Sequence, residues 1–142
     1  MPAIDHCASQ IIAALHRTGW NVTHNPFAIK VDRHRTGYIF ADLRLEHYQT
    51  DGSAIVVEIK CFDSSRSVLE DFYQAVGQYV VYRNALRAHH GGLPIHLALP
   101  LRAYENFFQS ALVRSVVDDL EMDLIVVDLD REEVSQWITS RA

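Results

Sequence analysis

Apolar residues at the start of the chain recur first with helical spacing and then with strand spacing. From about Ala3 to Thr18 they fall at intervals of three and four, which predicts a helix that Gly19 ends. Two short segments of strand type follow, Trp20 to His24 and Phe27 to Val31. Because Asn25-Pro26 separates them, the pattern predicts a hairpin.

The middle of the chain predicts two longer strands. Tyr38 to His47 alternates, with Ala41, Leu43 and Leu45 on one face and Asp42, Arg44 and Glu46 on the other. A polar turn from Thr50 to Ser53 precedes Ala54 to Phe62, the most apolar strand of the sequence. That composition predicts a central position in a sheet.

The second half alternates between helices and strands. Ser67-Val68-Leu69-Glu70 forms a capping box that opens a long helix ending near Gly91-Gly92. The later elements are a strand from Pro94 to Leu99, one or two helices from Leu101 to Leu120, a strand from Asp123 to Val127 and a short element from Val134 to Ile138. This order predicts one α/β domain over residues 1–142, with a mixed central β-sheet flanked by helices.

Composition changes this picture mainly through charge. The 142 residues are 49% hydrophobic and 22% charged, with a formal net charge of −5. An acidic chain is poorly suited to bind nucleic acid through a basic surface alone, but metal ions can supply positive charge at a site. We expect a cytoplasmic protein, because the sequence shows no signal peptide and no membrane-length apolar run. Accordingly, Cys7 and Cys61 are expected to be reduced thiols.

Candidate chemistry centres on Asp42, Glu58 and Lys60. Glu58 and Lys60 lie two apart on one strand and therefore share a face. If the neighbouring strands pair around the turn at Asp51-Gly52, Asp42 comes to lie on the same side, close enough to Glu58 to share an ion. Two carboxylates suit Mg²⁺, and a lysine beside them suits phosphodiester hydrolysis.

The same residues have a structural interpretation. An exposed strand face with a salt bridge between Glu58 and Lys60 would produce the same pattern. Context favours a site, because charges in the middle of an apolar strand are costly unless they are paired or bind an ion.

The chain also resembles a known family through motifs that occur in a fixed order over nearly its whole length. These motifs are Gly19-Trp20, Thr23-His24-Asn25-Pro26, Asp42-Leu43, Glu46, Val57-Glu58-Ile59-Lys60, Gln74 to Arg83 (QAVGQYVVYR), Leu97-Ala98-Leu99-Pro100 and Leu124 to Asp128 (LIVVD). Together they resemble the XisH family, the fdxN element excision controlling factors of cyanobacteria and other bacteria. The resemblance implies a restriction-endonuclease-like fold of the PD-(D/E)XK kind.

The resemblance also implies roles for particular residues and partners. Asp42, Glu58 and Lys60 would occupy the catalytic positions, with Asp42 and Glu58 as metal ligands, and Gln78 (or Gln74) would take the position of the glutamine on the following helix. The implied partners are DNA and a separate recombinase or excision factor. One departure from the family pattern is Arg44, which could pair with Asp42 or Glu46 and compete with a metal.

Three functions are consistent with the sequence. The leading one is an accessory factor in site-specific excision or rearrangement of DNA, built on a nuclease-like domain. The others are an active Mg²⁺-dependent endonuclease and a non-enzymatic interaction module. An apolar patch around Tyr104 to Leu112 would favour the interaction module. The aromatic residues there, Tyr104, Phe107 and Phe108, also suggest a symmetric homodimer.

Overall fold

The computed structural model describes residues 6–31, 37–49, 52–63 and 67–139. In chain order the elements are α1 (Ala8–Arg17), β1 (Trp20–His24), β2 (Phe27–Lys30), β3 (Tyr38–Ala41), β4 (Leu43–His47), β5 (Ala54–Ile59), α2 (Val68–His89), β6 (Ile95–Pro100), α3 (Leu101–Glu105), a 3₁₀ turn (Phe107–Gln109), α4 (Ala111–Asp119), β7 (Leu124–Asp128) and β8 (Glu133–Ile138). The predicted succession of helices and strands is confirmed, with differences at the first hairpin and at Asp42.

The main sheet has six strands in the order β1-β4-β5-β6-β7-β8. The β5-β6 and β6-β7 pairs are parallel, and the other three pairs are antiparallel. The predicted mixed sheet is therefore confirmed, and β5 lies inside it with a neighbour on each side. Helices cover both faces, as expected for a sheet whose inner strands are apolar on both sides.

Each face of the sheet has its own apolar core. On one face, α1 residues Ile11 and Leu15 pack with Leu43, Leu45 and other sheet residues. On the other face, α2, α3, α4 and the β2-β3 pair pack against alternate residues of the same strands, among them Val56, Leu97, Leu99, Leu124 and Val126. Successive side chains of a strand point to opposite faces, so residue parity decides which core each position joins.

The predicted hairpin of Trp20–His24 with Phe27–Val31 is wrong. β1 pairs with β4 at the edge of the main sheet, and β2 pairs with β3 in a separate two-stranded sheet. The reason is burial. Phe27 and Ile29 of β2 join the core beneath α2, whereas β1 is mostly exposed and is held by its ladder with β4.

The single strand predicted from Tyr38 to His47 is divided at Asp42. β3 ends at Ala41 and belongs to the two-stranded sheet, while β4 begins at Leu43 and belongs to the main sheet. Asp42 lies between them, and both its backbone N–H and its side chain bond to β5. Asp42 is thus the point at which the chain passes from the smaller sheet to the larger one.

The expectation of two reduced thiols is wrong, because Cys7 and Cys61 form a disulfide. Cys7 directly precedes α1 and Cys61 follows β5, and the fold brings their Cα atoms to 5.9 Å, a normal disulfide distance. A separation of 54 residues in the chain gives no local signal for this pairing.

Removing the disulfide by Cys7→Ser is expected to lower the free energy of unfolding by about 2–4 kcal/mol, because the unfolded chain then regains the freedom of a long loop. The measurement is urea unfolding of the variant and of the wild type, each with and without reductant. Reductant should destabilise the wild type only. Equal midpoints for the oxidised wild type and the variant would contradict this expectation.

The aromatic cluster predicted as a dimer surface or apolar patch lies mostly inside the protein. Phe108 is buried, and Tyr104 and Phe107 are half-buried against the core. Phe107 and Phe108 make ring contacts with Phe62 and Phe72. The large exposed aromatic residues lie elsewhere, whereas Leu112 of the predicted patch is 64% exposed. The homodimer stays a prediction.

His96 makes folding sensitive to acid. Its ring lies on β6 with the edge of Trp137 beside it, and its Nδ1 is buried without a hydrogen-bond partner among the described residues. Burial lowers the pKa of His96, against a smaller opposing effect of the Asp123 carboxylate. The unfolded state, with a histidine pKa of about 6.5, therefore binds more protons in mild acid.

We expect this contribution of His96 to be fully present above pH ~7 and to be lost as the pH falls through the unfolded value towards the folded one. His96→Phe keeps an aromatic ring and removes the titration. Its stability should decline less between neutral and mildly acidic pH than that of the wild type. Chemical denaturation across that range is the measurement, and identical slopes would contradict the expectation.

Among the described residues, none of the helices combines the length and the hydropathy that a membrane crossing requires.

Candidate functional site

Asp42 and Glu58 face each other across the β4-β5 ladder, on the side of the sheet that α2 covers. Leu43 pairs with Val57 in this antiparallel ladder. Asp42, which precedes Leu43, therefore lies beside Glu58, which follows Val57. Leu43 and Val57 both pack into the core beneath α1. By strand parity Asp42 and Glu58 therefore point the other way. The predicted proximity and common face of these two residues are observed.

Two hydrogen bonds hold the two carboxylates at this position. The Asp42 backbone N–H donates to Glu58 Oε1 at 3.1 Å, and the Ile59 backbone N–H donates to Asp42 Oδ2 at 2.8 Å. Each carboxylate thus accepts a hydrogen bond from the backbone of the neighbouring segment: Glu58 from Asp42, and Asp42 from Ile59. Glu58 is 5% exposed, and hydrogen bonds to charged groups are among the stronger ones in proteins. The pair is fixed by the fold rather than by flexible side chains.

Lys60 follows β5 on the same face as Glu58. Its backbone N–H continues the pairing with β6 by donating to Ala98 at 3.0 Å. Its ammonium donates to Gln74 Oε1 at 3.5 Å. Among the described residues, no carboxylate pairs with this ammonium. The salt bridge between Glu58 and Lys60 that a structural interpretation requires is therefore not observed.

Three side chains of α2 form a row over the two strands. Gln74, Gln78 and Tyr82 are spaced four apart and lie on one face of the helix. Gln74 reaches Lys60 at one end of the row, and Tyr82 interacts electrostatically with Glu58 and Asp42 at the other end. Gln78 therefore lies between them. Its Oε1 is buried and has no hydrogen-bond partner among the described residues.

The pKa of Tyr82 reflects its burial and the two nearby carboxylates. Burial raises the pKa of Tyr82 to about 12, and the negative charges of Glu58 and Asp42 add to the increase. The phenol therefore stays protonated at physiological pH and presents no negative charge to the two carboxylates.

Arg44 is directed away from the carboxylate pair. Its guanidinium donates to Glu46 Oε2 at 2.6 Å and to Thr23 Oγ1 at 3.0 Å. Of the two partners that the sequence suggested for Arg44, Glu46 is the one to which it bonds.

Two polar residues at or near this face of α2 were not singled out by the sequence. Tyr82 has the i+4 spacing from Gln78, but among many apolar neighbours it is not distinguishable from a core residue. Asp71, in the first turn of α2, is only 5% exposed. Acidic residues in a first helical turn are common, since they interact favourably with the helix dipole, so this position alone does not predict burial.

The donor set at the site is chemically suited to a hard divalent cation. Mg²⁺ prefers oxygen ligands and commonly binds through one or two carboxylates, with water and phosphate oxygens completing its shell. Asp42 and Glu58 provide two carboxylates. Within the described ranges, no cluster of three or more His, Cys, Asp or Glu side chains could hold a metal. The residues therefore fit Mg²⁺ better than a metal that needs four protein ligands.

These features define an α/β protein with a six-stranded mixed sheet and a two-carboxylate site beneath a long helix. The chain belongs to the XisH family, whose model, described as XisH protein, matches residues 1–135.

Two solved structures are similar to this chain. One is described as an XisH family protein from Nostoc punctiforme PCC 73102, with a TM-score of 0.84. The other is described as a fdxN element excision controlling factor protein from Anabaena variabilis, with a TM-score of 0.82. Each is 29% identical to this chain and covers 95% of it and 100% of the solved chain. No curated protein matches the chain.

Proposed function

We propose that this chain is an accessory factor in the excision of a DNA element, and that it acts on DNA through Mg²⁺ held by Asp42 and Glu58. Membership of the XisH family supports the excision role, since one similar structure is described as an excision controlling factor. A nuclease-like PD-(D/E)XK arrangement is part of the proposal.

The observation that carries the proposal is the convergence of Asp42 and Glu58. Two acidic side chains, Glu58 buried and Asp42 half-buried, are brought together on an apolar sheet and are held by backbone N–H groups. Carboxylate oxygens held side by side in this way suit a divalent cation, because Mg²⁺ prefers oxygen ligands. A bound cation would offset their mutual repulsion.

Each residue of the site has a defined role in this proposal. Asp42 and Glu58 would hold the ion, which supplies positive charge against a phosphodiester when bound. Lys60, positioned by Gln74, presents a cation beside the carboxylates. Gln78 presents a buried acceptor that suits a water molecule, since buried polar atoms are normally satisfied. Tyr82 stays neutral and lies at the end of the row near Glu58 and Asp42.

An active Mg²⁺-dependent endonuclease is the second candidate function, and the position of Lys60 favours it. Among the described residues its ammonium is bonded to the Gln74 amide and to no carboxylate, and such a cation can orient a water molecule. The interaction-module alternative has less support, because the aromatic residues from Tyr104 to Phe108 pack against the core.

The excision role is tested in the source organism by deleting the gene and amplifying the junction left by excision. We expect the junction product to disappear on deletion and to return with the wild-type gene. Complementation with Glu58→Gln should fail if the metal site is needed. Normal excision in the deletion strain would refute the excision role, whereas rescue by Glu58→Gln would refute only the need for the metal site.

A further inference from the structure

We propose that the β2-β3 pair carries a second nucleic-acid contact, which binds unstacked bases of a single strand next to the carboxylate site. The contact is the exposed side of this pair, which we call the aromatic face. It is formed by Ala28, Lys30, Tyr38 and Phe40. The inference rests on the proposed action on DNA and specifies the form of DNA that is bound.

The two sides of the β2-β3 pair differ sharply. Phe27, Ile29 and Ala41 turn inward and join the core beneath α2, although Ile39 between the aromatic residues is only partly buried. On the other side, Tyr38 is 54% and Phe40 57% exposed. Being two residues apart on one strand, the two rings project together. The inward side fully accounts for the attachment of the pair to the protein.

The described residues leave more than half of each of these two side chains uncovered. Neither ring makes an aromatic contact there, and Phe40 is paired across the ladder with Ala28. A side chain as small as alanine leaves the face of the Phe40 ring uncovered. Aromatic rings that are open to solvent on a rigid strand are the usual platform for stacking nucleic-acid bases.

Charge favours a nucleic acid over an apolar partner. Lys30 is paired directly across the ladder from Tyr38, and its ammonium forms no ion pair with the carboxylates of the described residues. In a complex with a nucleic-acid strand, the lysine can bind a backbone phosphate while the exposed rings stack on the neighbouring bases. In a duplex the base faces are already stacked, so only an unpaired strand can place bases on the rings.

Location connects the aromatic face to the candidate site. Phe40 precedes Asp42 by two residues, a distance of about 7 Å along an extended chain. The aromatic face therefore adjoins the candidate site along the chain, and one nucleic-acid strand can contact both. This juxtaposition points to a strand that is already unpaired, or opened, where the protein acts.

The test is the equilibrium binding of a fluorescein-labelled pyrimidine oligonucleotide and of a duplex of the same length, in EDTA so that no metal and no cleavage take part. We expect the wild type to bind the single strand about ten-fold tighter than the duplex or better. The double variant Tyr38→Ala with Phe40→Ala should lose about ten-fold or more of the single-strand affinity. Duplex affinity should change little.

Matched variants control for folding and for general loss of aromatic surface. Tyr73→Ala removes a ring that is 63% exposed on α2, and Phe40→Tyr keeps a ring on the aromatic face. Both should bind the single strand within about two-fold of the wild type. Thermal melts verify that every variant is folded.

Two results would overturn the inference. One is equal affinity of the wild type for single strand and duplex. The other is a double variant with unchanged single-strand affinity, and if light scattering then shows that it has lost self-association, the face is an interface between copies. Selective single-strand binding by a protein that takes up no Mg²⁺ would support the aromatic face while refuting the metal site.

Discussion

If the chain is an endonuclease, the second proposed function, replacing Glu58 by glutamine is expected to slow Mg²⁺-dependent nicking of supercoiled plasmid by about 100-fold or more. Removing one group that acts on the transition state costs about 3 kcal/mol or more. Glutamine keeps the volume of the side chain. It also keeps an oxygen that can accept the Asp42 backbone N–H. The lower nicking rate should therefore result from the lost negative charge at the site and not from a change in packing.

Glu46→Gln is the matched control for this prediction. It makes the same chemical change on the same side of the sheet, on β4, where Glu46 is exposed and bonds to Arg44. We expect its nicking rate to stay close to that of the wild type, since surface ion pairs contribute little. The two variants are compared in one plasmid assay, with a thermal melt of each. Equal loss in both, or full activity in Glu58→Gln, would contradict the assignment.

Much of the fold was predictable because its signals are local. The central strand β5 was marked by its run of apolar residues, and the start of α2 by Ser67, which caps the helix in the structure by accepting from the Leu69 backbone N–H at 3.1 Å. The proximity of Asp42 and Glu58 followed from strand parity and a single turn. Each of these predictions depends on residues that are close in sequence or in one hairpin.

The errors have the opposite character, because they concern partners that are distant in sequence. Which strand β1 pairs with depends on its ladder with β4, and its exposed side chains carry no pattern that selects a neighbour. The Cys7–Cys61 disulfide likewise depends on the docking of α1 against the end of β5. Neither is encoded in local periodicity.

The candidate site was predictable only in part, because some of its residues are close in sequence and others are brought in by a distant helix. Asp42, Glu58 and Lys60 follow from the strands, and the choice between Gln74 and Gln78 required the position of α2. In the structure both glutamines belong to the row, with Gln74 bonded to Lys60 and Gln78 between Gln74 and Tyr82 along the helix. Tyr82 completes the row, but the sequence alone shows it only as one more large residue on an apolar helix.

The central claim is that Asp42 and Glu58 together hold Mg²⁺, and thermal denaturation with and without Mg²⁺ tests it most directly. A ligand that binds only the folded state, at about ten times its dissociation constant, raises the free energy of unfolding by about 1.4 kcal/mol. We predict such stabilisation for the wild type and for Lys60→Ala, whose lost ammonium is not a metal ligand. Asp42→Asn and Glu58→Gln should show none. No shift in the wild type, or an equal shift in Glu58→Gln, would contradict the claim.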